Sequence, residues 1–371
     1  MRIKQLQLKN FRNYQHAAIE LHPVLNIFVG NNAQGKTNLL EAMYILAMSK
    51  SYRTGRETEL IYHDETAAHV HGRVERNADI DLRVIVQQDS PKKLFVNQKA
   101  TTANHFVGKL NVVLFTPDSM QLIKGSPSER RRFLDIQICQ TDALYRNNLL
   151  KFQRVLRQRN QLLKDAPYNA GLLNQLPIWD GQLADLADRV MQRRRAVVDQ
   201  LSILAADIHK HITGGVEELS ISYAPFGMDL KQWDRIGDAG SFGRYMLAQM
   251  KKERPQEVSR GYTITGPHRD DLFFSVNGQD AKTYASQGQQ RTAVLSCKLA
   301  EMELIYQETG EYPVVLLDDV MSELDKSRRE FLVELLNKKA QTVITTTHLG
   351  SFTQDILADA AVFRIDAGKI G

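Results

Sequence analysis

Gly30-Asn31-Asn32-Ala33-Gln34-Gly35-Lys36-Thr37 is the stretch whose reading decides the fold. It matches GxxxxGK[ST], and it follows the apolar run Val24–Val29 (VLNIFV) and opens a helical pattern from about Lys36 to Ser49. A buried strand that turns through glycines into a helix is the context in which this motif binds phosphates. The glycines let the backbone curl so that successive N–H groups face an anion. The start of the helix turns its positive dipole end to the same place. Lys36 is placed to reach the β- and γ-phosphates, and the Thr37 hydroxyl to ligate Mg²⁺. Asn38, the next residue, is counted with the loop as a nucleotide contact.

Working outward, residues 2–9 and 17–22 alternate as strands, as do Ile80, Leu82, Val84 and Val86. Segments 93–97 and 111–115 complete this β-rich block. After Pro117 the periodicity becomes helical to about residue 215: Tyr145, Leu149, Phe152, Leu156 and Leu163 share one face, interrupted by Arg159. A second amphipathic stretch through Leu183, Val190, Val197 and Leu204 predicts a short antiparallel arm, with its turn in 165–178. Residues 219–224 and 260–276 are expected to return to strand, with a hairpin turn at Asn277-Gly278. Beyond them helix and strand alternate: a helix from about Gln287 to Tyr306, a strand Pro313–Leu317, a helix Lys326–Asn337, a strand Thr342–Thr346 and a last strand near 361–366.

The strand Val314-Val315-Leu316-Leu317 ends in Asp318-Asp319. Open α/β sheets bind ligands at the carboxyl ends of their strands. Asp318 is therefore the expected Mg²⁺ holder, and Asp319 the group that orients or deprotonates an attacking water. Ser286-Gln287-Gly288-Gln289-Gln290-Arg291 opens the next long helix. Ser286 is a natural N-cap, and a helix start carrying Ser and Gly suits an anion. This segment resembles the signature motif of ABC ATPases, in which the helix start of one subunit contacts the γ-phosphate held by the other. One loop and one signature per chain then imply half-built sites, completed when two copies pair head to tail. His348, just past the strand 342–346, stands where such ATPases place a switch histidine.

With these motifs in order, the chain resembles the RecF family of bacterial recombination and replication-repair ATPases, within the wider group of ABC ATPases of the structural-maintenance-of-chromosomes type. The resemblance runs over essentially the whole chain. It rests on Leu8-Lys9-Asn10-Phe11-Arg12-Asn13-Tyr14, GNNAQGKTNLLEA, Ser51-Tyr52-Arg53-Thr54, Phe115-Thr116-Pro117-Asp118, Lys124-Gly125-Ser126-Pro127 with Arg130-Arg131-Arg132-Phe133-Leu134-Asp135, Gly266-Pro267-His268-Arg269-Asp270-Asp271, SQGQQR and LLDDVMSELD. It implies an α/β fold, an ABC-type P-loop ATPase lobe (1–118 and 286–371) with an inserted, largely helical second lobe (119–285). It implies ATP and Mg²⁺ as cofactors, an ATP-dependent homodimer on DNA at junctions of single- and double-stranded segments, and slow hydrolysis by a weak DNA-dependent ATPase. It also implies help in loading the RecA recombinase with RecR and RecO, within DNA recombination and the SOS response. The nucleotide contacts expected are Gly30 to Asn38 of one copy and Ser286, Gln287, Gly288 and Gln289 of the other. Lys36, Asp319 and His348 would act in catalysis, and Thr37 and Asp318 at the metal. Asp319 replaces the usual Glu and reaches about 1.5 Å less far. Asp118 or Gln121 stands where a glutamine contacts Mg²⁺.

Composition agrees with a globular protein: 43% hydrophobic and 25% charged in 371 residues. Two cysteines, Cys139 and Cys297, show no ligand spacing. No apolar run approaches the ~18–20 residues that span a bilayer, and the expected location is the cytoplasm, away from any membrane. The net charge of +5 is unevenly spread. Residues 121–210 carry 15 Lys/Arg against 9 Asp/Glu, so the remainder of the chain is slightly negative. Arg130–Arg132, Arg154, Arg157, Arg159 and Arg193–Arg195 are candidate DNA contacts, or else charges of a solvated helix face or partners of acids in the dimer. Arg53 and Arg56 are candidates on the ATPase lobe, where Arg53 could also reach the nucleotide. An ABC transporter subunit, a metabolic kinase and an SMC-like architectural ATPase are the rival readings. The basic insertion speaks against the first, the signature helix against the second, and the shortness of the arm against the third.

Overall fold

The computed structural model describes residues 1–228, 240–337 and 339–371. The chain divides into two compact units, 1–119 with 298–371, and 120–297.

The first unit opens with β1 (Arg2–Phe11), β2 (Tyr14–Glu20), β3 (Leu25–Val29) and helix α1 (Lys36–Met48), then β4 (Ala67–Glu75), β5 (Asp79–Gln87), β6 (Lys93–Val96), β7 (Lys99–Thr101) and β8 (Val112–Phe115). The second unit carries α2 (Pro127–Thr141), α3 (Ala143–Asp165), α4 (Leu176–Thr213), β9 (Leu219–Ala224), α5 (Ser241–Arg260), β10 (Asp271–Val276), β11 (Gln279–Asp280) and the first half of α6 (Gln287–Thr309). The chain then returns to the first unit with the rest of α6, β12 (Val314–Asp318), α7 (Lys326–Asn337), β13 (Thr342–Thr346), α8 (Gln354–Ala358), β14 (Ala360–Asp366) and β15 (Lys369–Ile370).

Two sheets build the first unit. One is antiparallel, in the order β2-β1-β4-β5-β6-β7; the other runs β15-β14-β3-β13-β12-β8, with parallel pairing from β14 to β8. The strands of the two sheets follow different patterns for a physical reason. β12 and β13 are buried throughout, as parallel strands covered on both faces are. β4 alternates, with Ala68, Val70 and Val74 inward, because one face of the antiparallel sheet is open. Helix α1 is buried almost all round and shares one core with strands of both sheets, including Phe28, Leu316, Val343, Val70 and Val84. A helix that is apolar on every side belongs inside a layered fold.

In the second unit α3 and α4 pack side by side, joined through the turn 166–175, as the arm predicted. Asn277 and Gly278, both with positive φ, make the two-residue turn between β10 and β11. One expectation fails here, and one element is new. Residues 260–270 are not strand: α5 ends at Arg260, and a loop held by side chains follows, with Gly266 at φ 136°. Helix α5 itself was not foreseen; Phe242, Met246 and Met250 bury its inner face, and Pro255 lies inside it.

Candidate nucleotide-binding site

In the first unit, the phosphate loop joins β3 to α1 and is braced on three sides. Ala33 and Gly35 take positive φ (63° and 114°), which gives the loop its curl. At Gly30 a Cβ would sit 2.2 Å from the Ile365 carbonyl oxygen of β14, so only glycine fits. Asn13 Nδ2 donates to the Gln34 carbonyl (2.9 Å), and the Tyr14 hydroxyl to that of Gly35 (3.1 Å). From the β14–β15 turn, Ala367 N–H donates to Gln34 Oε1 (2.6 Å) and Gly368 N–H to the Gln34 carbonyl (3.1 Å). The first N–H groups of α1 have no partner within the helix, so they face the loop's concavity as anion donors.

Lys36 Nζ donates to the carbonyls of Gly30 and Asn31, each at 2.7 Å, which folds its side chain back along the loop. Burial pushes its pKa down, opposed by Asp319 and then Asp318. Thr37 Oγ1 donates to Asp318 Oδ1 at 2.9 Å. The same carboxylate oxygen accepts from Thr345 Oγ1 (2.8 Å), and Oδ2 accepts from the Tyr52 hydroxyl (3.2 Å). Tyr52 stacks edge-on against Tyr44, and burial, Asp318 and Glu41 all raise its pKa. Asp319 adopts left-handed backbone (φ 53°), and its N–H donates to Thr345 Oγ1 at 3.0 Å. One buried threonine hydroxyl thus fixes both members of the acidic pair.

Behind the loop, Glu41 is fully buried and collects cations. Arg12 Nε and Nη2 bind it bidentately (2.9 and 2.8 Å), Ser51 Oγ at 2.5 Å and Arg53 Nη1 at 3.2 Å. Arg53 Nη1 also reaches Asn38 Oδ1 at 2.7 Å, and Asn38 Nδ2 reaches Asn13 Oδ1 at 2.8 Å. A continuous polar chain therefore runs from Arg12 through Glu41, Arg53 and Asn38 to the loop. Sequence reasoning gave Asn13, Tyr14, Glu41, Tyr52 and Thr345 no role. The available signal was polar residues inside otherwise buried elements, such as Glu41 in LLEAMYIL and Thr345 in VITTTH.

The remaining expected positions are placed as follows. His348 is exposed two residues beyond β13, with Nδ1 2.9 Å from Thr347 Oγ1. Asp118 is exposed just past β8, the neighbour of β12 in the sheet, whereas Gln121 belongs to the second unit. Ser286 to Gln289 also belong to the second unit. There they form a reciprocal cap: Gln289 N–H donates to Ser286 Oγ (3.2 Å), and Ser286 N–H to Gln289 Oε1 (2.9 Å). A Cβ on Gly288 would meet only Ser286 Oγ at 3.9 Å, so this helix tip is open on its glycine side.

The arginines expected to touch DNA are corrected in part. Arg159 is fully buried, with Nε on Asp180 (2.7 Å), Nη2 on Glu257 (2.6 Å) and Nη1 on Thr263 Oγ1 (2.7 Å); Arg254 completes the cluster on Asp180. Arg194 is buried on Asp135 and the Pro267 carbonyl, and Arg130 is bidentate to Asp271. Arg131 donates to the Asp270 carbonyl at 2.6 Å, and Arg193 to Asp142 at 2.8 Å. These side chains hold the unit together, because a buried charge survives only when paired and hydrogen-bonded. Arg154 and Arg157 remain exposed on α3.

The chain as a whole is similar to known proteins. Residues 2–368 match the family model for the RecF/RecN/SMC N-terminal domain. The DNA replication and repair protein RecF of Alkaliphilus oremlandii is 42% identical over 372 residues, covering all of both chains. A solved structure of the recombination mediator protein RecF with ATP, in the RecFOR pathway, superposes with a TM-score of 0.91 at 32% identity, covering 100% of this chain and 96% of that one. The Smc head domain of Pyrococcus furiosus, at a TM-score of 0.54 and 16% identity, shares the fold. Likeness over the full length on these scales makes the chain, with its braced phosphate loop and threonine-fixed acidic pair, a member of the RecF family of DNA replication and repair proteins, built on the ABC-type ATPase fold.

Proposed function

We propose that the chain is an ATP-driven switch that dimerises on DNA at junctions of single- and double-stranded segments and hydrolyses ATP slowly, as a weak DNA-dependent ATPase. The observation that carries this reading is that the chain carries two helix starts suited to phosphate in two different compact units: the loop with α1 belongs to one, and the capped, open Ser286–Gly288 tip to the other. In a head-to-tail pair, ATP held by Gly30 to Asn38 of one copy would be covered by Ser286, Gln287, Gly288 and Gln289 of its mate. A ligand bound only by the pair stabilises it by mass action.

Mg²⁺ fits the residues present. Thr37 and Asp318 supply converging oxygen donors, and among the described residues no cluster of three or more His, Cys, Asp or Glu forms an alternative metal cage. A hard cation held by few protein oxygens takes the rest of its shell from phosphate and water. When bound, Mg²⁺ would neutralise charge on the phosphates. Lys36 would leave the Gly30 and Asn31 carbonyls to donate to the γ-phosphate. Asp319 would orient the attacking water and accept its proton, and His348 would donate toward the γ-phosphate. The short side chain of Asp319 and its pinned backbone fit slow turnover. Work with RecO and RecR in loading the RecA recombinase, in the cytoplasm, is the role the family membership suggests; among the described residues no helix is long and apolar enough to cross a membrane.

The test is size measurement by sedimentation for wild type and Lys36→Met, with and without ATP·Mg²⁺. Wild type is expected to dimerise with ATP and the variant to stay monomeric. A monomeric wild type at saturating ATP overturns the reading.

A further inference from the structure

Arg130, Arg159, Arg193, Arg194 and Arg254 of the helical unit are spent on internal ion pairs, yet the first unit carries basic side chains that have no partner among the described residues. They lie on the open face of the antiparallel sheet. The register places His16 of β2 beside Lys9 of β1, Lys9 beside His69 of β4, and His69 beside Ile85 of β5, which pairs with Lys93 of β6. In the next row Gln7 lies beside His71, and His71 beside Arg83. Side chains at these positions point to one face, because the strand period is two and their neighbours Leu8, Val70, Leu82 and Val84 are buried on the other. Lys9, His16, His69, His71, Arg83 and Gln7 line a single depression of about 470 Å³.

The charges there are unbalanced. Asp81 is the nearby carboxylate, and His71 Nε2 takes it at 2.5 Å, while His71 Nδ1 meets Gln7 Oε1 at 3.1 Å. Arg73, further along β4, is paired with Asp79. The side chains of Lys9, His16, His69, Arg83 and Lys93 make neither a hydrogen bond nor an ion pair with the protein among the described residues. The pKa of half-buried His69 is held down by burial and by the positive charges of Lys9 and Arg83. Cations that repel one another around a concave floor are stabilised by an anion arriving from outside.

We propose that this face, centred on Lys9 and Arg83 and extended by Lys93, is the surface that grips the phosphodiester backbone of duplex DNA. The inference rests on the DNA-binding reading above and gives it a location. The row from β2 to β6 crosses four strand spacings, roughly 19 Å. At 3.4 Å of rise per nucleotide along the helix axis, that spans about five or six base-pair steps of duplex. Ammonium, imidazole and guanidinium groups spread over an open sheet face suit phosphate contacts, which position DNA without reading sequence.

The experiment measures binding of labelled duplex DNA to the full-length protein with ATP·Mg²⁺, across a series of salt concentrations. It compares wild type, the double variant Lys9→Gln/Arg83→Gln and the double variant Arg154→Gln/Arg157→Gln. Removing two phosphate contacts is expected to flatten the slope of log K against log salt by about 1.8 and to weaken binding at least roughly tenfold in Lys9→Gln/Arg83→Gln. Its ATP-driven assembly should be unchanged, which also shows that it folds. An unchanged slope and affinity in that variant, or a loss confined to Arg154→Gln/Arg157→Gln, overturns the proposal while leaving the DNA-binding reading intact. A wild type that binds no DNA overturns that reading and the proposal with it.

Discussion

Replacing Thr345 by valine tests the acidic pair most directly, since the two side chains have nearly the same shape. The hydroxyl is fully buried, donates to Asp318 at 2.8 Å and accepts the Asp319 N–H at 3.0 Å. Losing a hydrogen bond to a charged group costs about 1.5–3 kcal/mol, and a stranded buried N–H about 1–3 kcal/mol. Asp318 keeps its bonds from Thr37 and Tyr52, so the two losses do not simply add, and the expected destabilisation is about 2–5 kcal/mol. For a unit of this size that lowers the melting temperature by roughly 4–20 °C. The left-handed backbone of Asp319 also loses its tether. ATP hydrolysis should fall by ten- to a hundredfold, about the cost of a misplaced reacting group. Nucleotide affinity should change little, because the phosphate loop does not touch Thr345. Calorimetry and single-turnover hydrolysis read the two effects, and Thr345→Ser should restore both by returning the hydroxyl. A valine variant that melts and hydrolyses ATP like wild type would refute the reasoning.

Two further outcomes concern the helical unit. Arg159→Met strands Glu257 and part of Asp180 in the interior and should cost about 3–5 kcal/mol in urea unfolding, with Arg154→Met, on the exposed side of the same helix, near neutral as control. His268 is buried, and its pKa is pushed down to about 4 by desolvation and by neighbouring arginines. The folded form then takes up its proton later than the unfolded chain does, so acid removes stability as pH falls from about 6.5 toward 4. The pKa of Asp270, raised by burial to about 6, works the other way over its own window. Since Asp270 is common to both proteins, His268→Gln should show the shallower acid loss by denaturant titration across pH 4–6.5; parallel curves would contradict this.

The phosphate loop was legible because its chemistry is local: eight consecutive residues both make the curl and present the donors. The acidic pair was legible for the same reason, at the end of an unbroken apolar strand. The brace around the loop was not, because Asn13, Gln34 and Ala367 meet across more than 300 residues of chain, and no short-range pattern encodes a contact of that kind. Helix α5 was missed although Phe242, Met246 and Met250 recur every four residues; the basic run beside them and Pro255 masked the period. Arginine counting misjudged the helical unit for a related reason. Arg159 breaks the apolar face of α3 in sequence, yet in space it completes that face, because Asp180 and Glu257 arrive from α4 and α5.

That interior cluster of Arg159, Asp180, Glu257 and Arg254 limits how the unit can diverge over generations. Any single step that drops one member leaves another charge enclosed and unmatched, so a lineage can exchange the set for apolar residues only by several changes made nearly together. The four positions should therefore be inherited as one block, kept or replaced as a whole, while the exposed arginines on the neighbouring helix face drift singly.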